Sequence, residues 1–328
     1  MTNRVNSLDI AKGIAIVLVV VGHVAAREEV PGADWYNILR SVIYSFHMPL
    51  FMVLSGISLG LSWKVLANDA AVLGYIGKRL KKLVIPYAVL GLLIICGKLV
   101  ASRYIHVDNA PPGVLTGLLD LFLRPMASAA SFLWFIYVLS AYFLVFPWLL
   151  QRAPKAAPWA MLALGVVLYQ WTWPATFNVA NIVMYLPFFS AGILMGQHWR
   201  QATRLIHPWT LLWALPFFAA VACEVVMREP LPKWLVGTLS VPFVLALAEQ
   251  LQGRLKAVFL AAGLYTFSIY LFNTLCIGVA KAVTLHIAPW RDEYFVFHFV
   301  VLLIAGAWGP MLIKQATQKV SPRAAAYL

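Results

Sequence analysis

Ser7-Leu8-Asp9-Ile10-Ala11-Lys12-Gly13-Ile14-Ala15-Ile16-Val17-Leu18-Val19-Val20-Val21-Gly22-His23 is an apolar run with ionisable groups set inside it. Its length suits a membrane-crossing helix, and ionisable groups in a bilayer are costly enough that they usually mark chemistry or transport. Lys12 and His23 stand eleven residues apart, about three helical turns, so both project from one face. Their separation along the axis is about 17 Å, roughly half the hydrocarbon thickness. That face carries a cation near one membrane surface and an imidazole deeper in. It suits a ligand long enough to touch both.

The rest of the chain repeats the membrane signature. Of its 328 residues 62% are hydrophobic and 11% charged, against about 45–50% and about 25% in soluble domains. Apolar windows near residues 8–26, 43–62, 83–101, 131–150, 158–173, 179–197, 208–227, 234–250, 257–281 and 294–314 predict an all-α polytopic bundle of about ten transmembrane helices. The windows at 158–173 and 234–250 are the weakest. Residues 102–130 form the longest connection, and 113–124 within it reads as a short interfacial helix. The formal charge of +13 would suit nucleic acid, but the cations sit in short loops between apolar runs. With the N-terminus inside, sixteen of the 25 Lys and Arg lie on the cytoplasmic side and nine outside, so both termini are expected in the cytoplasm. The first run lacks a small-residue cleavage site and carries Asp9 and Lys12, which predicts a retained helix in a bacterial inner-membrane protein. Cys96, Cys223 and Cys276 lie in apolar stretches at unrelated spacings and read as small core residues. No repeat, low-complexity tract or long linker divides the chain. A single membrane domain over 1–328, with no separate soluble domain, is expected.

A second histidine lies in Phe46-His47-Met48-Pro49-Leu50-Phe51. If the first helix runs outward and the second inward, His23 and His47 reach comparable depth. Two imidazoles in an apolar medium suit a general base with an orienting partner, or a shared proton. One satisfied buried histidine beside one interfacial histidine is the ordinary alternative. Asp9 and Lys12, at i and i+3, also suit mutual neutralisation near the inner surface. Gly77-Lys78-Arg79-Leu80-Lys81-Lys82 places four cations in five residues before an apolar helix. Anionic lipid headgroups are the usual partner of such a run; phosphates of a soluble cofactor are the other, with Arg79 and Lys82 sharing a face. Ser131-Phe132-Leu133-Trp134-Phe135-Ile136-Tyr137 reads first as an interfacial aromatic belt. Ser268, Tyr270 and Asn273 lie within a late apolar helix, where Thr266 and Ser268 suit hydrogen bonds to carbonyls one turn back. There is no HExxH, paired CxxC or clustered Asp, so no metal is expected. Ser55 lacks a nucleophile-elbow context.

Taken in order, these segments resemble the membrane-bound acyltransferase 3 family, which O-acylates sugars and other envelope components, and within it the fucose-4-O-acetylase-like branch. Residues 7–16 through Gly22-His23 and residues 46–56 carry the specific part of the likeness. The basic run ending at Pro86-Tyr87, Leu133-Trp134-Phe135 and Ser268-Ile269-Tyr270-Leu271 match in type and order. The family's pairing of a basic residue with the helix-one histidine falls on Lys12 and His23. Its R-x-x-R falls on Arg79 and Lys82, so Lys replaces Arg once in each motif.

The resemblance implies an integral-membrane O-acyltransferase with acetyl-CoA as donor and a sugar, polysaccharide or lipid-linked glycan as acceptor. Lys78, Arg79 and Lys82 would hold the donor's phosphates, and Lys12 would flank its pantetheine arm. His23 would take a proton from the acceptor hydroxyl or transiently accept the acyl group, and His47 would orient or share that proton. Trp134 would wall the acyl pocket, with Tyr137 and Asn273 as further substrate contacts. Asn273 stands where the family often has His and is given no acid–base role. Membrane lipids are expected partners; nucleic acid is not. From another class, a proton-coupled transporter or flippase of a sugar-containing substrate would use the same ionisable residues. It would show paired broken helices in corresponding halves, a symmetry the sequence does not display.

Overall fold

A computed structural model describes residues 6–25, 30, 32–104, 107–227 and 231–328, and every regular element among them is helical. The order is α1 (Asn6–His23), α2 (Asp34–Ser62), α3 (Asp69–Ala101), α4 (Val114–Leu123), α5 (Trp134–Arg152), α6 (Ala156–Leu168), α7 (Val179–Gln197), α8 (Trp199–Ile206), α9 (Thr210–Met227), α10 (Lys233–Gln250), α11 (Gly253–Leu264), α12 (Thr266–Thr284) and α13 (Asp292–Val320). Acids in the first turns of α1, α2, α3 and α13 (Asp9, Asp34, Asp69 and Asp292) complement the helix dipole. Asn68 caps α3, its side chain accepting from the Ala71 N–H at 2.9 Å. Pro49, Pro86, Pro147, Pro187, Pro216, Pro242 and Pro310 sit inside long helices, and each removes one backbone hydrogen bond.

Eight stretches among the described residues are helical, long and apolar enough to cross a membrane: α1, α2, α3, α5, α7, α8 with α9, α12 and α13. The chain is thus a polytopic membrane protein in composition and helix length. The expected ten windows differ from these eight in three places. The 158–173 window is α6, a helix of 13 residues. The 234–250 window is α10, which begins on Lys233 and ends on Glu249 and Gln250. The 257–281 window is two helices, α11 and α12, joined at Tyr265. A short helix is present where one was expected in the 102–130 connection, as α4.

The contacts divide into two compact units, each discontinuous in sequence: Met1–Ser58 with His198–Pro322, and Leu59–Gln197 with Arg323–Leu328. In the first unit α1 packs on α10, α11, α12 and α13. Its crossing with α11 is reciprocal: a Cβ on Gly13 would strike the Phe259 carbonyl, and one on Gly263 would strike the Asp9 carbonyl. Glycine at both points lets two backbones touch, the usual route to close helix packing in lipid. In the α12–α13 pair glycines instead receive side chains, Gly306 that of Ile277 and Gly309 that of Cys276. In the second unit α3 packs on α5 and α4, and α6 packs on α7. Gly91 receives Leu121, and Gly165 receives Pro187. Tyr142, Phe143, Phe146 and Phe189 form an aromatic cluster between α5 and α7.

Candidate functional site: two imidazoles and a buried amide on α1, α2 and α12

His23 closes α1 half-buried, and its Nδ1–H donates to the Val19 carbonyl at 2.7 Å. His47, 7% exposed, repeats the arrangement on α2, donating from Nδ1 to the Ile43 carbonyl at 2.7 Å. A carbonyl can only accept, so both rings take the Nδ1–H tautomer and leave Nε2 as the basic nitrogen. His47 sits two residues before Pro49, whose missing N–H leaves the Ser45 carbonyl without its helical donor. The backbone beside His47 is therefore already opened. The two imidazoles meet through Tyr44: its ring lies 6.4 Å from His23 and 5.2 Å from His47, centroid to centroid.

Lys12 reaches across from α1 to α2, where its Nζ donates to Ser58 Oγ at 2.7 Å, and Ser58 Oγ donates to the Leu54 carbonyl at 2.9 Å. Asn273, 1% exposed on α12, donates from Nδ2 to the Ile269 and Tyr270 carbonyls at 2.8 and 3.0 Å. These two bonds fix which way the amide points, and its Oδ1 is buried without a hydrogen-bond partner. Ile277, one turn on, meets Val20 of α1 at Gly306, while Gly263 meets Asp9. The α11–α12 segment therefore runs in the direction of α1. Asn273 lies at a depth between Lys12 and His23.

The other expected residues belong to the second unit. Arg79 on α3 stacks over the rings of Tyr75 and Phe143 at 5.3 and 5.4 Å, half-buried, while Lys78 and Lys82 are exposed. Stacking holds a guanidinium plane and leaves its edge for an anion. Trp134 stacks on Tyr185 at 5.3 Å, and its carbonyl accepts from Asn178 Nδ2 at 3.2 Å. Asn178 and Phe177 both hold positive φ, 57° and 53°, a strained turn for residues with a Cβ. Tyr137 packs edge-on against Tyr87 at 6.2 Å. Among the described residues no cluster of His, Cys, Asp or Glu is arranged to hold a metal.

Sequence reasoning passed over Tyr44, although Tyr36, Arg40, Tyr44 and His47 recur at helical spacing and so share one face of α2. It also passed over Glu224, the one acid within the apolar 208–227 run. Glu224 is 4% exposed and lies within reach of the Ser45 hydroxyl on α2. A lone acid in such a run is itself a signal.

Residues 5–314 match the family model for an acyltransferase domain. Two curated relatives are each called nodulation protein NolL. The one from Sinorhizobium fredii is 32% identical over 229 residues, covering 67% of this chain and 56% of the relative. The one from Mesorhizobium japonicum is 26% identical over 224 residues, with the same coverage. The chain thus aligns with little more than half the length of these relatives. No solved structure matches it. A family match over nearly the whole length, on a helical membrane chain, settles the family: this protein belongs to the acyltransferase 3 family.

Proposed function

We propose that this acyltransferase moves an acyl group from acyl-CoA, acetyl-CoA in the first instance, to a hydroxyl of a cell-envelope glycan at the bacterial inner membrane. The observation that carries the reading is His23: an imidazole within a membrane helix, its Nδ1 committed to Val19 and its Nε2 left to act as base. In the reaction the acceptor hydroxyl gives its proton to His23 Nε2 as its oxygen bonds to the thioester carbonyl carbon. The C–S bond breaks, and the departing thiolate takes the proton from the imidazolium, so the products are ester and free thiol. Holding base, hydroxyl and thioester together is the larger part of the acceleration, and a fixed helix face supplies it. Lys12 is assigned to the donor's arm. Asn273 Oδ1, a buried acceptor with no partner, is assigned to an amide N–H of that arm. Arg79, with Lys78 and Lys82, is assigned to the phosphates, while Trp134 and Tyr137 take the substrate's apolar surface. His47 orients or shares the proton.

The test is mass spectrometry of cell-surface glycans from cells carrying the wild type or His23→Ala, together with thiol release from acetyl-CoA by the purified protein. A glycan acyl mass lost in His23→Ala, with slow donor turnover also lost, supports the reading. An unchanged glycan profile at equal protein abundance, or donor turnover that survives His23→Ala, overturns it.

A further inference from the structure

The end of α1 that carries His23 is held by one stripe of α2. Tyr36 Oη donates to the Val21 carbonyl at 3.0 Å and accepts from the Ala25 N–H at 2.9 Å. Arg40 Nη1 donates to the Ala25 carbonyl at 2.5 Å, and Tyr44 Oη donates to the Gly22 carbonyl at 2.8 Å. The last carbonyls of a helix have no donor within the helix, and inside a bilayer they have no water either. Three side chains of α2 therefore supply peptide groups on both sides of His23. The close backbone packing of α1 comes from α10, α11, α12 and α13, so α2 holds this turn through its side chains.

Tyr44 does more than donate. A Cβ on Gly22 would lie 2.7 Å from Tyr44 Cε1, so the ring rests on the glycine that precedes His23. From there the ring makes its two imidazole contacts, edge-on to His23 at 62° and tilted 35° to His47. Each Nδ1 is already used inside its own helix. The spacing of the two Nε2 atoms thus rests on the phenol placed against both rings.

We propose that Tyr44 is a positioning residue for acyl transfer: its hydroxyl fixes the Gly22–His23 peptide and its ring sets the spacing of the two imidazoles, braced by Tyr36 and Arg40. The inference rests on the reading of His23 as the base. Catalysis of this kind tolerates little misplacement, and a shift of about 1 Å can cost about a hundredfold in rate.

The experiment measures thiol release from acetyl-CoA by the full chain in lipid nanodiscs. Wild type is compared with Tyr44→Phe, Tyr44→Leu, Gly22→Ala and His23→Ala, with kcat, KM, pH profile and melting temperature recorded for each. Tyr44→Phe keeps the ring and loses the tether, and kcat should fall about tenfold; Tyr44→Leu loses both and should fall about a hundredfold. KM for acetyl-CoA should stay within about twofold, and the pH profile should move, as expected when only the base is displaced. Gly22→Ala pushes on the ring from the other side and should reproduce the Tyr44→Phe result. Normal kcat in both Tyr44 variants beside an inactive His23→Ala overturns the positioning role alone. Loss confined to KM, or loss that only tracks the unfolded fraction, overturns it too. Turnover surviving His23→Ala removes the base reading and this inference with it.

Discussion

His23 and His47 meet one constraint in one way: each spends Nδ1–H on the carbonyl four residues back, which fixes tautomer and ring plane together. Lys12 and Asn273 are different. Lys12 is placed by its hydrogen bond to Ser58 Oγ on α2, with its ammonium assigned to the donor's arm. Lys12→Met should therefore raise KM for acetyl-CoA several-fold with a smaller effect on kcat, and Lys12→Arg should restore most of it, as read by initial rates of thiol release. Asn273 gives a prediction with two signs. Its unpartnered Oδ1 is a cost in the free protein, so Asn273→Leu should leave the melting temperature unchanged or higher. The same change should raise KM for acetyl-CoA, because the donor loses its acceptor; a fall in both stability and affinity would mark a purely structural residue. His23, His47 and Lys12 were legible in the sequence because ionisable groups are scarce in apolar runs. Tyr44 was not. A tyrosine near a membrane surface is ordinary, and only the rotation of α2 against α1 shows that it faces the two histidines and not lipid.

Among the elements, the crossing of α1 and α11 carries the sharpest consequence. Gly13 and Gly263 each face a backbone carbonyl of the other helix, and a carbonyl, unlike a flexible side chain, cannot swing aside. Gly263→Ala should force the helices apart and destabilise the protein by about 1–3 kcal/mol, the usual scale of overpacking. Gly74 on α3 has nothing within 4 Å of an added Cβ, so Gly74→Ala should be neutral or slightly stabilising. Paired melting curves in one detergent check both, and equal shifts would remove the argument. The same crossing explains a break that hydropathy does not reveal. Residues 257–281 read as one apolar run with no proline, yet α11 stops at Leu264. Thr266 Oγ1 turns its hydroxyl back on the Gly263 carbonyl at 2.7 Å, and Tyr265 forms the joint. Hydropathy located nearly every helix because burial in lipid needs apolar length. It could not show where packing divides one run into two.

For the molecule as a whole the open quantity is how many helices cross the bilayer. An α6 of 13 residues spans about 20 Å, short of the roughly 30 Å hydrocarbon core. The residues after α6 extend that reach, because Tyr169–Trp171 continue in turns before α7 begins at Val179. α10 is 18 residues long, about 27 Å, close to a full crossing despite its polar ends. The loop cations favour both helices crossing or neither, since sixteen of the 25 fall inside in either case. Arg152 and Lys155 lie inside whichever way α6 runs, whereas Arg254 and Lys256 fall outside if only one of the two helices spans. Cysteine labelling decides this. With Cys96, Cys223 and Cys276 replaced by Ala, Gln170→Cys should react with a membrane-impermeant maleimide on intact cells. Gln252→Cys and Lys155→Cys should react only after permeabilisation. If α6 merely dips into the membrane, Gln170→Cys and Lys155→Cys will label together. If α10 alone does, Gln252→Cys will label on intact cells, and the positive-inside assignment of both termini falls with it.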